Sequence, residues 1–131
     1  MGFFVRKDIV FTVREDFCSQ SDDFECLTIE LKNVDTRKTT ICVAYRPPNS
    51  NHTNFFDYLN HSLSKLCFHK DLFYLMEDFN IDLLKDDTYN IKLDFTNLIY
   101  SFNLYPLITS ATRVTEYSTQ LVFWIIYSQT T

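Results

Sequence analysis

Leu72-Phe73-Tyr74-Leu75-Met76-Glu77-Asp78-Phe79-Asn80-Ile81-Asp82-Leu83-Leu84-Lys85 runs five apolar residues straight into two acids and, two positions after the second, an amide. The apolar run is too short for a helix and reads as a strand buried on both faces. Asp78 and Asn80 then stand at its carboxyl end. In open α/β sheets ligands dock outside that edge, because loops fan out there above rigid strands. A charged acceptor and a neutral donor and acceptor two residues on can hold a metal or a water while steering a phosphate oxygen. The competing reading is a solvated loop acid followed by a helix-capping amide.

Upstream, Thr39 to Tyr45 includes Ile41-Cys42-Val43-Ala44 without a polar break, as a central strand requires, and Pro47-Pro48 stops it. Past that stop, Phe55, Leu59, Leu63 and Leu66 recur at spacings of four, four and three. This pattern predicts a helix capped by Asn49 or Ser50, with Asn54, Asp57, Ser64 and Lys65 toward water. Strand, crossover helix and strand make the unit that builds a parallel pair. Further upstream, Leu27, Ile29 and Leu31 alternate with Thr28 and Glu30, which marks a half-buried strand over Cys26–Leu31. Glu15 to Glu25 is acidic and polar and reads as a surface loop; Gly2 to Arg14 reads as a two-stranded hairpin. Downstream, Ile91, Phe95, Leu98, Ile99 and Phe102 predict a second helix over residues 90–103, ended by Leu104-Tyr105-Pro106. Thr109 to Tyr117 reads as extended or looped, and the apolar run of residues 121–127 as a last buried strand. Asp82, Asp86 and Asp87 read as a solvated acidic loop.

A chain of 131 residues with 46% hydrophobic content suits one domain that buries its own core. Its net charge of −5 argues against broad electrostatic capture of nucleic acid, so any such contact has to be local. With a single glycine, turns that need positive φ must lean on Asn and Asp. Cys18, Cys26, Cys42 and Cys67 lack the spacing of a zinc or redox motif and read as reduced, mostly buried thiols. His52, His61 and His69 also lack metal-ligand spacing. The seven apolar residues from Leu121 to Tyr127 are too few to cross a bilayer. No secretion or lipidation signal is present, so an intracellular location, nuclear or cytoplasmic, is expected.

Three blocks in order, Tyr45-Arg46-Pro47-Pro48-Asn49-Ser50, Asp78-Phe79-Asn80-Ile81-Asp82-Leu83-Leu84 and Thr112-Arg113-Val114-Thr115, resemble one family. It is the endonuclease/exonuclease/phosphatase domain of non-LTR (LINE-type) retrotransposons, related to apurinic endonucleases and DNase I. Gly2-Phe3-Phe4-Val5-Arg6-Lys7-Asp8-Ile9 is similar to the family's strand ahead of these blocks. The resemblance implies that residues 1–131 form a single partial domain, an α/β fold representing part of a DNase I-like four-layered sandwich with mixed sheets and two main helices. It also implies Mg²⁺-dependent phosphodiester hydrolysis, with DNA nicked ahead of reverse transcription. In that likeness Asp78 activates or positions the attacking water, and Asn80 contacts the water or the scissile phosphate. Tyr45 hydrogen-bonds the phosphate and Arg46 reaches it, although Arg46 equally suits a surface salt bridge.

The chain also departs from the family pattern. Glu77 stands where the family has glycine, adding a like charge beside Asp78 that opposes its ionisation and repels phosphate. Phe123 stands in the register of an active-site aspartate, and aromatic carbon neither orients a histidine nor holds a metal. No residue matches the family's metal-binding glutamate, its upstream asparagine or its terminal histidine and aspartate pair, so no metal ligand is assigned. The expectation is a degenerate endonuclease domain with weak or lost DNA binding and negligible hydrolysis. The alternatives are a non-catalytic protein or nucleic-acid interaction module, or a remnant without function. Self-association through exposed strands is also expected.

Overall fold

Strict alternation over Glu25–Leu31 sorts Cys26 and Thr28 to one side of a strand and Leu27, Ile29 and Leu31 to the other. The computed structural model describes residues 1–32, 38–66, 72–78, 89–107, 113–114, 119–120 and 126–128. This segment forms β3, the hub of a mixed sheet. The strands around it are β1 (Phe11–Val13), β2 (Ser19–Gln20), β4 (Thr39–Tyr45) and β5 (Leu72–Asp78). The order is β1-β3-β4-β5, with β2 pairing β3 off that path; β1, β2 and β4 run antiparallel to β3, and β5 runs parallel to β4.

The crossover from β4 to β5 is α1 (His52–Leu66), and α2 (Tyr89–Ser101) follows β5. Phe55, Leu59 and Leu63 of α1 and Phe95 and Ile99 of α2 are almost completely buried. They join Cys26, Cys42, Ala44, Phe73 and Leu75 from one face of the sheet in a single core. Asn54, Asp57, Ser64 and Lys65 point to solvent as the periodicity requires. Both helices therefore cover the same face. The second face carries the buried Ile29 and, half-buried, Leu27, Ile41, Val43, Leu72, Tyr74 and Met76. The expectation that β5 is buried on both faces holds for one of them only.

Beyond α2 the chain forms β6 (Leu104–Pro106), β7 (Arg113–Val114), β8 (Thr119–Gln120) and β9 (Ile126–Ser128). β6 pairs with β9 and β7 with β8, both antiparallel, and the backbone of β9 lies beside β5. Leu104-Tyr105-Pro106 thus opens a new strand directly after the helix. The expected strand over residues 121–127 is described only from Ile126, and Phe123 lies outside the described residues.

The N-terminal hairpin does not form. Phe11–Val13 pairs with Ile29–Leu31 across the sheet, because the half-buried β3 offers a longer partner than residues 1–10 do. The acidic Glu15–Glu25 stretch is likewise more than a loop, holding a 3-10 turn at Glu15–Phe17 and then β2. That turn is fastened from beneath: Thr28, fully buried, donates Oγ1 to the Phe17 carbonyl at 3.1 Å, and Tyr58 donates its hydroxyl to the same oxygen. Asn49 and Asn103 take the left-handed conformation, with φ of 64° and 56°, in a chain whose single glycine serves neither turn.

The result is a mixed α/β fold, with a five-stranded sheet under one helical layer and two two-stranded pairs, consistent with part of a DNase I-like sandwich. No helix among the described residues is long and apolar enough to cross a membrane.

Candidate functional site

Parallel pairing of β4 with β5 brings two separate sequence blocks to one level. Tyr45 is the register partner of Asp78 at the carboxyl end of both strands, and on the other side Tyr45 partners Glu25. Glu25 in turn partners Gln20 of β2. Four strands thus place Gln20, Glu25, Tyr45 and Asp78 in one row, with neighbours about 4.8 Å apart and Glu25 about 10 Å from Asp78 by strand spacing. Tyr45 is 37% exposed, so its ring is open to an incoming molecule.

Asn80 and Phe123 lie outside the described residues, so the expected pairing of Asp78 with Asn80 and the expected loss at Phe123 are not placed. Glu25 is the residue that sequence reasoning passed over. It ends an acidic run that reads as loop, and only the strand register shows it standing beside Tyr45.

Arg46 follows Tyr45 and so turns to the opposite side of the strand, where it is 5% exposed. Its Nη1 donates to the Ser50 carbonyl at 3.1 Å and to Ser50 Oγ at 3.3 Å. Ser50 closes the turn by donating its N–H to the Pro47 carbonyl at 3.3 Å and its hydroxyl to the same oxygen at 2.9 Å. Proline at the second position and a left-handed Asn49 at the third are the residues of a type II turn. The Arg46 guanidinium is engaged with the turn that leads out of the site.

That turn feeds α1, whose cap is Asn51 rather than the expected Asn49 or Ser50. Asn51 Oδ1 accepts from the backbone N–H of Thr53 at 2.9 Å and of Asn54 at 3.4 Å. Asp23 closes the same helix end from the loop between β2 and β3, accepting from the Asn51 N–H at 3.1 Å and from Asn54 Nδ2 at 2.7 Å. The Asn54 amide first, then the Asn51 N–H, hold the Asp23 carboxyl below its ordinary value. A helix N-terminus attracts anions, and here a carboxylate of the chain already takes that place.

Positive charge gathers at the other end of the sheet. Arg14, Lys38 and Lys65 line a cavity of about 250 Å³ with Glu30 and Thr40, at the amino end of β4. Arg14 is spent on Asp16 at 2.8 Å and Glu30 at 2.9 Å and covers the Phe17 ring at 4.8 Å, while Lys38 lies 3.6 Å from Glu30. A second cavity of about 430 Å³ lies beside Glu25 between Met1, Glu15, Ser19 and Gln20. It carries two carboxylates, Glu15 and Glu25, against one cation, the Met1 amino group 4.0 Å from Glu25.

Beneath the row, Cys26 and Cys42 are buried and Cys18 is half-buried, none of the three in a disulfide; Cys67 lies outside the described residues. Hydrogen bonding with Cys26, outweighing burial, holds the Cys42 thiol below its usual value, with Thr28 adding to it. Burial above all, and the two thiols beside it, push the Tyr58 phenol well up. His52 packs edge-on against Phe56 on α1, His61 is exposed, and His69 lies outside the described residues.

Magnesium prefers about six oxygen ligands in near-octahedral array. Among the described residues no three His, Cys, Asp or Glu side chains stand together to hold a metal.

No protein-family model and no curated protein sequence matches this chain. Among solved structures it is similar to the endonuclease domain of TRAS1, a telomere-specific non-LTR retrotransposon, with a TM-score of 0.64 and 8% sequence identity. The match covers 95% of this chain and 57% of that one, so the chain spans little more than half of the endonuclease domain it resembles. At that identity the likeness establishes a shared α/β fold, the one built here around the parallel pair that carries Tyr45 and Asp78.

Proposed function

We propose that this chain is a degenerate endonuclease domain of the non-LTR retrotransposon type, which keeps the phosphate-facing edge of a phosphodiester-cleaving site and hydrolyses DNA negligibly. The observation that carries this reading is the Tyr45–Asp78 register at the carboxyl ends of adjacent parallel strands. A tyrosine and an aspartate at register positions on that edge suit a phosphate oxygen and a water together. In this reading Tyr45 donates to the phosphate, Asp78 aims the water with Asn80 beside it, and Arg46 acts by holding the turn beneath Tyr45.

Three features support weak chemistry. Glu77 adds a charge next to Asp78 in sequence, Glu25 adds another on the far side of Tyr45, offset by the Met1 amino group 4.0 Å away, and Arg14, Lys38 and Lys65 gather at the opposite end of the sheet. Phe123, in the family's register, replaces an acid with a hydrocarbon. Catalytic groups that work as a set lose most of the rate when one is removed, so the remaining pair sustains little turnover. Any DNA contact is correspondingly weak.

The test is nicking of supercoiled plasmid by the purified chain with and without Mg²⁺, alongside Asp78→Ala. No Mg²⁺-dependent nicking above the variant supports the reading. Nicking that disappears in Asp78→Ala overturns it.

A further inference from the structure

Next to β1 the chain offers both a knob and a hole. Phe4 is fully exposed. It stands on the wall of an open apolar groove of about 430 Å³ that Phe3, Val5, Phe11, Val13, Leu27 and Ile29 complete, within the size range of ordinary ligand pockets. Val10 is 60% exposed and Phe11 44% exposed along the same rim. A fully exposed phenylalanine beside an empty apolar groove is costly for an isolated chain, and large apolar patches of this kind mark interaction sites.

We infer that the groove is a self-docking surface, in which a second copy of this chain inserts its Phe4 while receiving the first copy's Phe4 in return. Knob and hole on one patch are what a twofold interface requires, because the same surface must complement itself. The area is sufficient. Each phenylalanine buries roughly 200 Å² of its own surface and covers a similar area of groove wall, so two exchanges remove roughly 800 Å². Ile9, Val10, Phe11 and Val13 on the rim carry the total past the roughly 1,000 Å² that a specific interface needs. Charge opposes it little. Although the chain carries −5 overall, residues 1–10 hold Arg6, Lys7 and Asp8, and with Asp8 ion-paired to Arg6 only Lys7 is left as an exposed cation on each copy. The outer edge of β1 lies on the same rim, since Val10 and Arg14 turn their backbone bonds inward to Lys32 and Thr28 of the β3 side.

The experiment is analytical ultracentrifugation of the full chain from about 1 to 100 µM, beside Phe4→Asp and Val13→Asp. Both positions are exposed enough for the variants to fold, which circular dichroism checks. The wild type should follow a monomer–dimer equilibrium. Losing an aromatic anchor from a desolvated pocket raises a dissociation constant roughly 30-fold, and each dimer has two, so Phe4→Asp should raise it roughly a thousandfold. A wild type that is monomeric throughout overturns the inference, as does a Phe4→Asp variant that pairs as well as wild type. A monomeric wild type that binds the apolar dye ANS in the groove also overturns self-docking and leaves the groove to a different apolar partner.

Discussion

Replacing Arg46 by alanine separates a structural role from a direct phosphate contact. The side chain is 5% exposed, so its bonds are little screened by water, and Nη1 serves both the carbonyl and the hydroxyl of Ser50. A hydrogen bond from a charged donor contributes about 1.5–3 kcal/mol, and the truncation leaves the Ser50 carbonyl short of its partner. The expected loss is about 2–3 kcal/mol. For a domain of this size that lowers Tm by roughly 6–15 °C. Arg46→Lys keeps the charge but not the planar fork and should fall in between. Tyr45→Phe removes only a hydroxyl from a half-open ring and should stay within about 0.5 kcal/mol of wild type. Thermal melts followed by circular dichroism read all three. An Arg46→Ala protein that melts with wild type while retaining DNA less well would refute the turn-holding role and return Arg46 to the phosphate.

Other outcomes follow from the core and the caps. Phe55→Ala, at a position with no exposure, should cost about 3–5 kcal/mol in urea unfolding, since it opens the centre of the contact between α1 and the sheet. Asn103→Val should destabilise by about 1–2 kcal/mol, because a β-branched side chain is crowded at φ of 56°, whereas Asn103→Gly should match or exceed wild type. Asp23 is held below its ordinary value of about 3.8, so its contribution is complete above that pH and fades as pH falls through the lower folded value. The stability gap between wild type and Asp23→Ala should therefore shrink as pH drops from about 5 to 2. A gap that is constant with pH would remove Asp23 from the helix cap.

The parts of the fold visible in the sequence were those that repeat a period. The spacing of Phe55, Leu59 and Leu63 and the stripe through Phe95 and Ile99 each marked an element and its buried side, and the apolar run from Leu72 marked a strand. The positive-φ asparagines were foreseeable in kind, since a chain with one glycine must turn with something else. Pairing was harder to see. Nothing in Phe11–Val13 states that its partner is Ile29–Leu31, and nothing in Leu72–Met76 reveals that one face stays half-open, because periodicity records burial and not what supplies it. The helix cap fell at Asn51, just past the expected Asn49 or Ser50, since Ser50 is drawn into the turn with Arg46. The Tyr45 and Asp78 blocks could be named from sequence, but Glu25 enters their row only through strand register, which no local pattern encodes. Arg46 reads as a surface cation until the turn around it is seen.

The central claim is that an edge built for phosphate survives without the power to cut. Its most direct measurement is the rate of Mg²⁺-dependent nicking of supercoiled plasmid at enzyme excess, compared between the wild-type chain and Asp78→Ala. Indistinguishable background rates are the predicted result; a wild-type rate clearly above that of Asp78→Ala would contradict it.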